Sequence, residues 1–319
     1  MRVVVVGAGL AGLSAGRSFA AAGHDVVLFD KGRSPGGRLA TRRIGSATLD
    51  HGAQFFTIRS DRFAAIVVPH LASGLVYEWS RGFVDGGDGY PRYAVRGGMN
   101  ALAKTLAAGL DVRTRSMVFA IRSAPSGSSH RWDVALDDGT STPADALVVT
   151  CPLPQAYSLL VLASVELPAP LIRMEYDRTI ALLVTLDGPP AVGEPGGLQN
   201  PTDTLSFVSD NRRKGISATD ALTVHANAAW SEAHWNDDHA ALDATLRLEA
   251  EAAFFGNAGV IEAQVKKWRF ATPRTPWPDP CWVSPDSAGP LALAGDAFAG
   301  PKIEGAVLSG LAAADALVT

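Results

Sequence analysis

Three glycines near the start of the chain have the spacing that lets a backbone bind phosphate. Gly7, Gly9 and Gly12 form GxGxxG between a run of valines and a stretch of small residues. The first glycine permits a tight turn, the second lets the backbone approach a pyrophosphate, and the third lets a helix pack closely on a strand. Because the N-terminus of that helix favours phosphate, the motif predicts a pyrophosphate site.

An acidic residue follows where a ribose would lie. Asp30 closes the next apolar run, DVVLF, and a carboxylate there accepts hydrogen bonds from an adenosine ribose. An acid at this point argues against a ribose 2′-phosphate. The pattern therefore predicts a dinucleotide site, and both NAD and FAD fit it.

A second pair of glycines favours FAD. The loop KGRSPGGR ends in Gly36, Gly37 and Arg38, and Arg38 offers a charge-assisted fork to a phosphate. Here the sequence resembles the flavin-containing amine oxidase superfamily, whose signature is GxGxxG, an acid and then GGR. The stretches MVFAI, ADALVVTCPLP and LALAGDAF match further motifs of that superfamily.

The resemblance implies an FAD site assembled from both ends of the chain. It places Val118 at the adenine and Asp296 at the ribitol, with the N-terminus of the last helix at the pyrimidine end of the ring. Residues 291–318 contain no cysteine, so we expect non-covalent FAD. The expected cofactor-binding residues are Gly7, Gly9, Ala11, Gly12, Asp30, Lys31, Gly37, Arg38, Ala53, Gln54, Phe55, Val118, Asp296, Glu304, Gly305 and Ala306.

The elements needed to position these residues can be predicted from the pattern. Val3–Val6 and Asp25–Phe29 are predicted strands flanking a helix over residues 13–22, and later strands are predicted at 111–123, 131–136, 146–150, 179–186, 204–209, 222–228 and 260–270. We predict an α/β fold: a Rossmann-type FAD-binding domain, like that of glutathione reductase and amine oxidases, with an inserted α+β substrate domain. The expected boundaries are 1–74, 98–153 and 288–319 for FAD, and 75–97 and 154–287 for substrate.

Composition excludes several classes of function. The 28 Lys+Arg against 32 Asp+Glu give a net charge of -4, which argues against nucleic acid or an anionic membrane as partner. Two cysteines, Cys151 and Cys281, form neither a zinc nor a disulfide pattern, and no metal site is expected. The first 23 residues imitate a secretory signal, but the glycine motif explains them better, so we expect a cytoplasmic protein. We expect it to be a monomer or a homodimer.

Within the superfamily, HGAQFFT and KIEGAVLSG resemble renalase and its bacterial relatives, as do stretches over almost the whole chain. That resemblance implies an FAD oxidase acting on reduced nicotinamide dinucleotide isomers, 2- and 6-dihydro-NAD(P). Hydride passes to flavin N5 and then to O₂, giving NAD(P)⁺ and H₂O₂. This chemistry needs no general base, and we assign no acid/base residue.

The candidate substrate residues are the amide Gln54 and the aromatic or cationic residues Phe55, Tyr93, Arg96 and Trp268, with His225 and His234 further out. Arg42 and Arg43 fit a solvated surface better than contact with substrate phosphates. One alternative is an amine or amino-acid oxidase, in which Lys266 or Lys267 would serve the flavin. The other is a flavin-binding redox sensor without turnover.

Overall fold

The computed structural model describes residues 1–83, 87–285, 287–298 and 300–318. The strands are β1 Arg2–Val6, β2 Asp25–Asp30, β3 Thr41–Ile44, β4 Ala47–Asp50, β5 Val76–Ser80, β6 Arg92–Val95, β7 Asp111–Thr114, β8 Val118–Ser123, β9 Trp132–Leu136, β10 Ser141–Ala144, β11 Ala146–Val149, β12 Tyr176–Leu186, β13 Gly197–Gln199, β14 Leu205–Asp210, β15 Ala221–Ala226, β16 Val260–Pro273, β17 Trp282–Val283 and β18 Leu291–Leu293. The helices are α1 Leu10–Ala21, α2 Asp61–Ala72, α3 Asn100–Ala107, α4 Leu153–Leu160, α5 Ala169–Ile172, α6 Ala228–Ala233, α7 His239–Ala250 and α8 Ile303–Val318.

The chain forms two compact units, each built from separate segments. Unit 1 comprises Met1–Gly37, Ala103–Glu175 and Thr272–Thr319, and unit 2 comprises Arg38–Leu102 and Tyr176–Ala271. None of the helices in the described ranges is long and apolar enough to cross a membrane.

Unit 1 contains a six-stranded sheet of order β17-β18-β11-β1-β2-β7, with the strands from β18 to β7 parallel. Its central strands are buried on both faces, as their unbroken valine and leucine runs predict. Unit 1 also contains a separate antiparallel sheet of order β10-β9-β8. This arrangement confirms the predicted Rossmann-type α/β fold.

Unit 2 contains a five-stranded sheet of order β13-β14-β15-β12-β16 and the hairpins β3-β4 and β5-β6. Helix α7 packs Leu242, Leu246 and Ala250, which recur every four residues, against the buried face of this sheet. The α-helix ends at Ala250, and a π-helical turn continues from Glu251 to Phe255.

The compact units differ from the expected domain boundaries mainly at residues 38–74. These residues group with unit 2 because the hairpin β3-β4 packs on its sheet: Ile44, Ala47 and Leu49 share an apolar cluster with Leu183 and Ala221. Residues 154–175 and 272–287 group instead with unit 1.

Helices α2 and α4 are among those that the sequence pattern did not predict. Helix α2 contains Pro69 and a β-branched run, which weaken a helical pattern, although Ser60 caps it by accepting from the Phe63 N–H. Helix α4 follows Pro152 and has Pro154 in its first turn, a position where the ring replaces an N–H that has no helical partner. Pro152 and Pro154, interpreted from the sequence as a boundary, mark the start of this helix.

Candidate functional site

The parallel strands of unit 1 bring four distant parts of the sequence to one sheet edge. Gly7 follows β1, Asp30 ends β2, Thr150 follows β11, and Gly295 with Asp296 follows β18. Because β18, β11, β1 and β2 run parallel, these residues all lie at the carboxyl end of the sheet, where open α/β sheets bind their ligands.

The glycine turn has the shape of a phosphate cradle. Gly7 has φ +103°, and a Cβ on Gly12 would lie 1.9 Å from the Gly7 carbonyl oxygen, so close packing of α1 on the turn requires glycine. A Cβ on Gly9, the N-cap of α1, would meet nothing within 4 Å. The open space in front of Gly9 faces the first N–H groups of a 12-residue helix, which fits a pyrophosphate.

Asp30 clamps this turn to the second strand. Its Oδ2 accepts from the Ala8 N–H at 2.7 Å and its Oδ1 from the Gly32 N–H at 2.6 Å. The carboxylate oxygens have further lone pairs, so the clamp is compatible with the predicted contact to a ribose.

Helix α8 is fixed against the glycine turn in the same unit. A Cβ on Gly310 would lie 2.0 Å from the Ala11 carbonyl oxygen, which shows how closely α8 packs on α1. Ser309 Oγ accepts from the Gly295 N–H at 2.8 Å and so ties α8 to the end of β18. Glu304, Gly305 and Ala306 lie in the first turn of α8, as predicted for its start.

In unit 2, a buried ion pair is the centre of a polar cluster. Lys214 Nζ lies 2.8 Å from Asp50 Oδ2, and both side chains are fully buried. Asp50 Oδ1 accepts from the Met99 N–H at 2.8 Å and from Thr41 Oγ1 at 2.5 Å. Burial lowers the pKa of Lys214, and the charge of Asp50 opposes this shift.

Gln54 is locked into the same cluster. Its Nε2 donates to the carbonyls of Asp50 and Gly52 at 2.8 and 3.1 Å, and its Oε1 accepts from Lys214 Nζ at 3.3 Å. Gln54 is 5% exposed, so its amide holds the loop after β4 in place.

His51, in the same loop, forms an aromatic pair with Trp268 of β16. The His51 ring stacks on Trp268 with centroids 5.3 Å apart and an interplanar angle of 23°, and Trp268 Nε1 donates to the His51 carbonyl at 2.7 Å.

Burial, with the charges of Lys266 and Arg42, lowers the pKa of His51 to about 4. Burial and His51 likewise lower the pKa of His225 to about 4. Both imidazoles are therefore neutral at pH 7, and each has a buried ring nitrogen without a partner in the described ranges: Nδ1 of His51 and Nε2 of His225.

Two family models match this chain, and together they span most of its length. Residues 70–318 match the family described as "Flavin containing amine oxidoreductase", and residues 5–67 match "NAD(P)-binding Rossmann-like domain". This chain belongs to the flavin containing amine oxidoreductase family. The family is one of flavin-dependent oxidoreductases, which implies FAD as the cofactor of this chain.

Individual relatives of this flavin oxidoreductase show the fold. A protein described as a protoporphyrinogen oxidase from Exiguobacterium sp. 255-15 superposes with a TM-score of 0.74 at 13% identity, covering 99% of this chain and 98% of that one. Putrescine oxidase bound to putrescine gives 0.72 at 16% identity, covering 100% and 99%. Hydroxyneurosporene desaturase of Rubrivivax gelatinosus is 48% identical over 58 residues, which span 18% of this chain and 11% of the desaturase.

The remaining predicted substrate residues lie in unit 2 but have different surroundings. Phe55 belongs to an aromatic group with Phe83 and Phe207, at centroid distances of 5.0 and 5.8 Å. Tyr93 exchanges backbone hydrogen bonds with Phe56, and Arg96 donates to the Gly74 carbonyl and lies over the Tyr77 ring. No contact in the described part of the chain joins Arg96 to Gln54 or Trp268.

Several basic candidates have structural contacts. Arg38 Nη1 donates to the carbonyls of Phe270 and Ala271, both at 3.1 Å. Lys267 Nζ donates to the carbonyls of Trp235 and Asp237, while His234 pairs with Asp237 and stacks on Trp230.

The sequence interpretation missed Asp50, His51 and Lys214. Lys214 follows Asn211, Arg212 and Arg213, a polar run typical of an exposed turn, and nothing local distinguishes it from them. His51 begins the quoted motif HGAQFFT and Asp50 directly precedes it, so an acid directly after the apolar Leu49 was the available signal.

Proposed function

We propose that this flavin oxidoreductase oxidises the 2- and 6-dihydro isomers of reduced nicotinamide dinucleotides to NAD(P)⁺. In each turnover, the dihydropyridine loses a hydride, and O₂ takes up the two electrons with protons as H₂O₂. The bound FAD supplies the hydride acceptor. Unit 1 supplies the cofactor cradle described above, and unit 2 supplies residues for the substrate.

The observation that carries this proposal is the charge around His51 in unit 2. Lys266 and Arg42 are close enough to act on the pKa of its ring, and both are cationic. A dinucleotide carries a pyrophosphate and is attracted by such a surface, whereas the ammonium group of an amine substrate is repelled. The competing function, oxidation of an amine, is therefore disfavoured on electrostatic grounds.

The polar cluster of unit 2 also suits a reaction without acid/base catalysis. The one buried lysine in it is paired with Asp50, and the amide of Gln54 is saturated by internal hydrogen bonds. His51 is neutral and stacked on Trp268, which gives a flat aromatic surface of the kind on which a nicotinamide ring can stack. These residues can hold and orient the dihydropyridine ring, and its loss of hydride requires no acid or base from the protein.

Anaerobic mixing tests the proposal. The FAD-loaded protein is mixed with 2-dihydro-NAD, with 6-dihydro-NAD, with ordinary 4-dihydro-NAD and with a panel of amines, and flavin absorbance is followed. We expect rapid bleaching by the 2- and 6-isomers and little by the amines. Bleaching by amines alone would contradict the proposal and support an amine oxidase, and bleaching by nothing would support a redox sensor.

A further inference from the structure

The two cations that act on His51, Arg42 and Lys266, line a cleft on unit 2. It has a volume of about 490 Å³ and is lined by Arg42 of β3, by residues 263–266 of β16, and by His239, Ala240 and Asp243 of α7. Its two cations, Arg42 and Lys266, form no hydrogen bond or ion pair within the described ranges. Burial and the nearby charge of Arg42 both lower the pKa of Lys266, so two unpaired cations share this cleft.

The N-terminus of α7 provides further donors to the cleft. His239 and Ala240 are the first two residues of this 12-residue helix. The N-cap Asp238 accepts from the Ala241 N–H at 2.8 Å, whereas the N–H groups of His239 and Ala240 have no partner in the part of the chain that is described. Free N–H groups in the first turn of a helix favour an anion.

Asp243 adds an acceptor beside these donors. Its Oδ2 lies 3.3 Å from Arg247, but its Oδ1 is buried and has no hydrogen-bond partner in the described residues. A buried carboxylate oxygen is stable only when a donor reaches it, and a ligand hydroxyl is such a donor. Two cations, two free N–H groups and one acceptor together match a phosphate that is attached to a sugar.

The cleft is continuous with the aromatic pair in the same unit. Lys266 and Trp268 are two residues apart on β16, so their side chains share a face about 7 Å apart. Trp268 in turn stacks on His51. A ligand whose phosphate lies at Lys266 therefore has a flat aromatic surface within the reach of a nucleotide.

We propose that this cleft is the phosphate subsite for the dinucleotide substrate, with Arg42 and Lys266 binding the phosphate and Asp243 accepting from a ribose hydroxyl. The proposal rests on the proposed function and names the part of unit 2 that selects its substrate class. It reverses the expectation that Arg42 is merely a solvated surface residue.

Charge-neutralising variants of the FAD-loaded enzyme test this subsite. Arg42→Gln and Lys266→Gln are compared with Arg43→Gln, the matched control, because Arg43 is the next residue of β3, is also exposed and points to the opposite face. Binding of NAD⁺, the redox-inert product, is measured by calorimetry. Reduction rates are measured with 6-dihydro-NAD and with 6-dihydronicotinamide riboside, which has no phosphate.

We expect Arg42→Gln and Lys266→Gln each to raise the Kd for NAD⁺ by about ten- to a hundredfold, as for the loss of one charge-assisted contact. The half-saturating concentration of 6-dihydro-NAD should rise in parallel, with reduction by the riboside unchanged. Equal responses of Arg42→Gln and Arg43→Gln, or a parallel loss for the riboside, would overturn the subsite.

Failure of the proposed function gives a different result. In that case no dihydropyridine reduces the wild-type flavin, and calorimetry still tests whether the cleft binds the phosphates of NAD⁺. NAD⁺ binding that depends on Arg42 and Lys266 but not on Arg43 supports the subsite, and binding that depends on none of them, or no binding, overturns it.

Discussion

Replacing Lys214 by methionine should be among the most destabilising single changes in unit 2. The substitution keeps an unbranched side chain that is shorter by one heavy atom, and it removes the charge. It leaves the fully buried carboxylate of Asp50 without a counter-ion, and it also removes the donor to Gln54 Oε1. Two donors to Asp50 Oδ1 remain, from Met99 and Thr41, so the carboxylate stays hydrogen-bonded but uncompensated.

The expected magnitude follows from the burial of the pair. Removing one partner of a buried ion pair costs about 3–5 kcal/mol, because the remaining charge cannot be solvated. Asp50→Asn should cost a similar amount for the same reason. The double variant, with Asn at 50 and Met at 214, contains no isolated charge, so its loss should fall short of the sum of the single losses by about 2 kcal/mol or more.

Equilibrium urea unfolding of the FAD-loaded protein, followed by circular dichroism, measures these free energies. Lys104→Met on the exposed face of α3 is the control, and it should change the free energy of unfolding by less than about 0.5 kcal/mol. A Lys214→Met variant as stable as this control would refute the reasoning. So would a double variant whose loss equals the sum of the two single losses.

Three further predictions concern Gly9 and Gly12 of the glycine turn and the imidazole of His51. Gly9→Ala should leave the stability of the cofactor-free protein within about 1 kcal/mol of wild type, because its Cβ meets no protein atom, yet it should weaken FAD binding measured by flavin fluorescence. Gly12→Ala should unfold the protein at lower urea concentrations even without FAD, because its Cβ would overlap the Gly7 carbonyl. The folded-state pKa of His51, about 4, lies below the value of about 6.5 in the unfolded chain, so stability is lost as pH falls through this window. His51→Phe, which keeps a ring against Trp268, should reduce the loss of unfolding free energy between pH 7.5 and pH 5 by about 2 kcal/mol, and an unchanged loss would contradict the burial of its imidazole.

The glycine turn and the strands around it could be predicted from the sequence because their determinants are local. GxGxxG, a preceding valine strand and an acid at the end of the next strand each specify a backbone shape within a few residues. The structure adds that Asp30 clamps the turn through the Ala8 N–H, a contact that no spacing rule indicates.

The polar cluster of unit 2 could not be predicted in the same way. Asp50 and Lys214 are 164 residues apart, and their pairing depends on how the β3-β4 hairpin packs on β15. A lysine in a polar run carries no local sign that its side chain will be buried. The basic cleft is a further example, since Arg42 and Lys266 come from separate strands and acquire a shared role only in the folded unit.

Anaerobic stopped-flow reduction with 6-dihydro-NAD carrying deuterium at C6 follows the transferred hydride itself, and so tests whether this protein oxidises dihydropyridines. We expect the flavin to be bleached in a single turnover, with one NAD⁺ formed for each flavin reduced. Deuterium at C6 should slow the bleaching. A flavin that keeps its colour with this substrate while an amine bleaches it would contradict the proposed function.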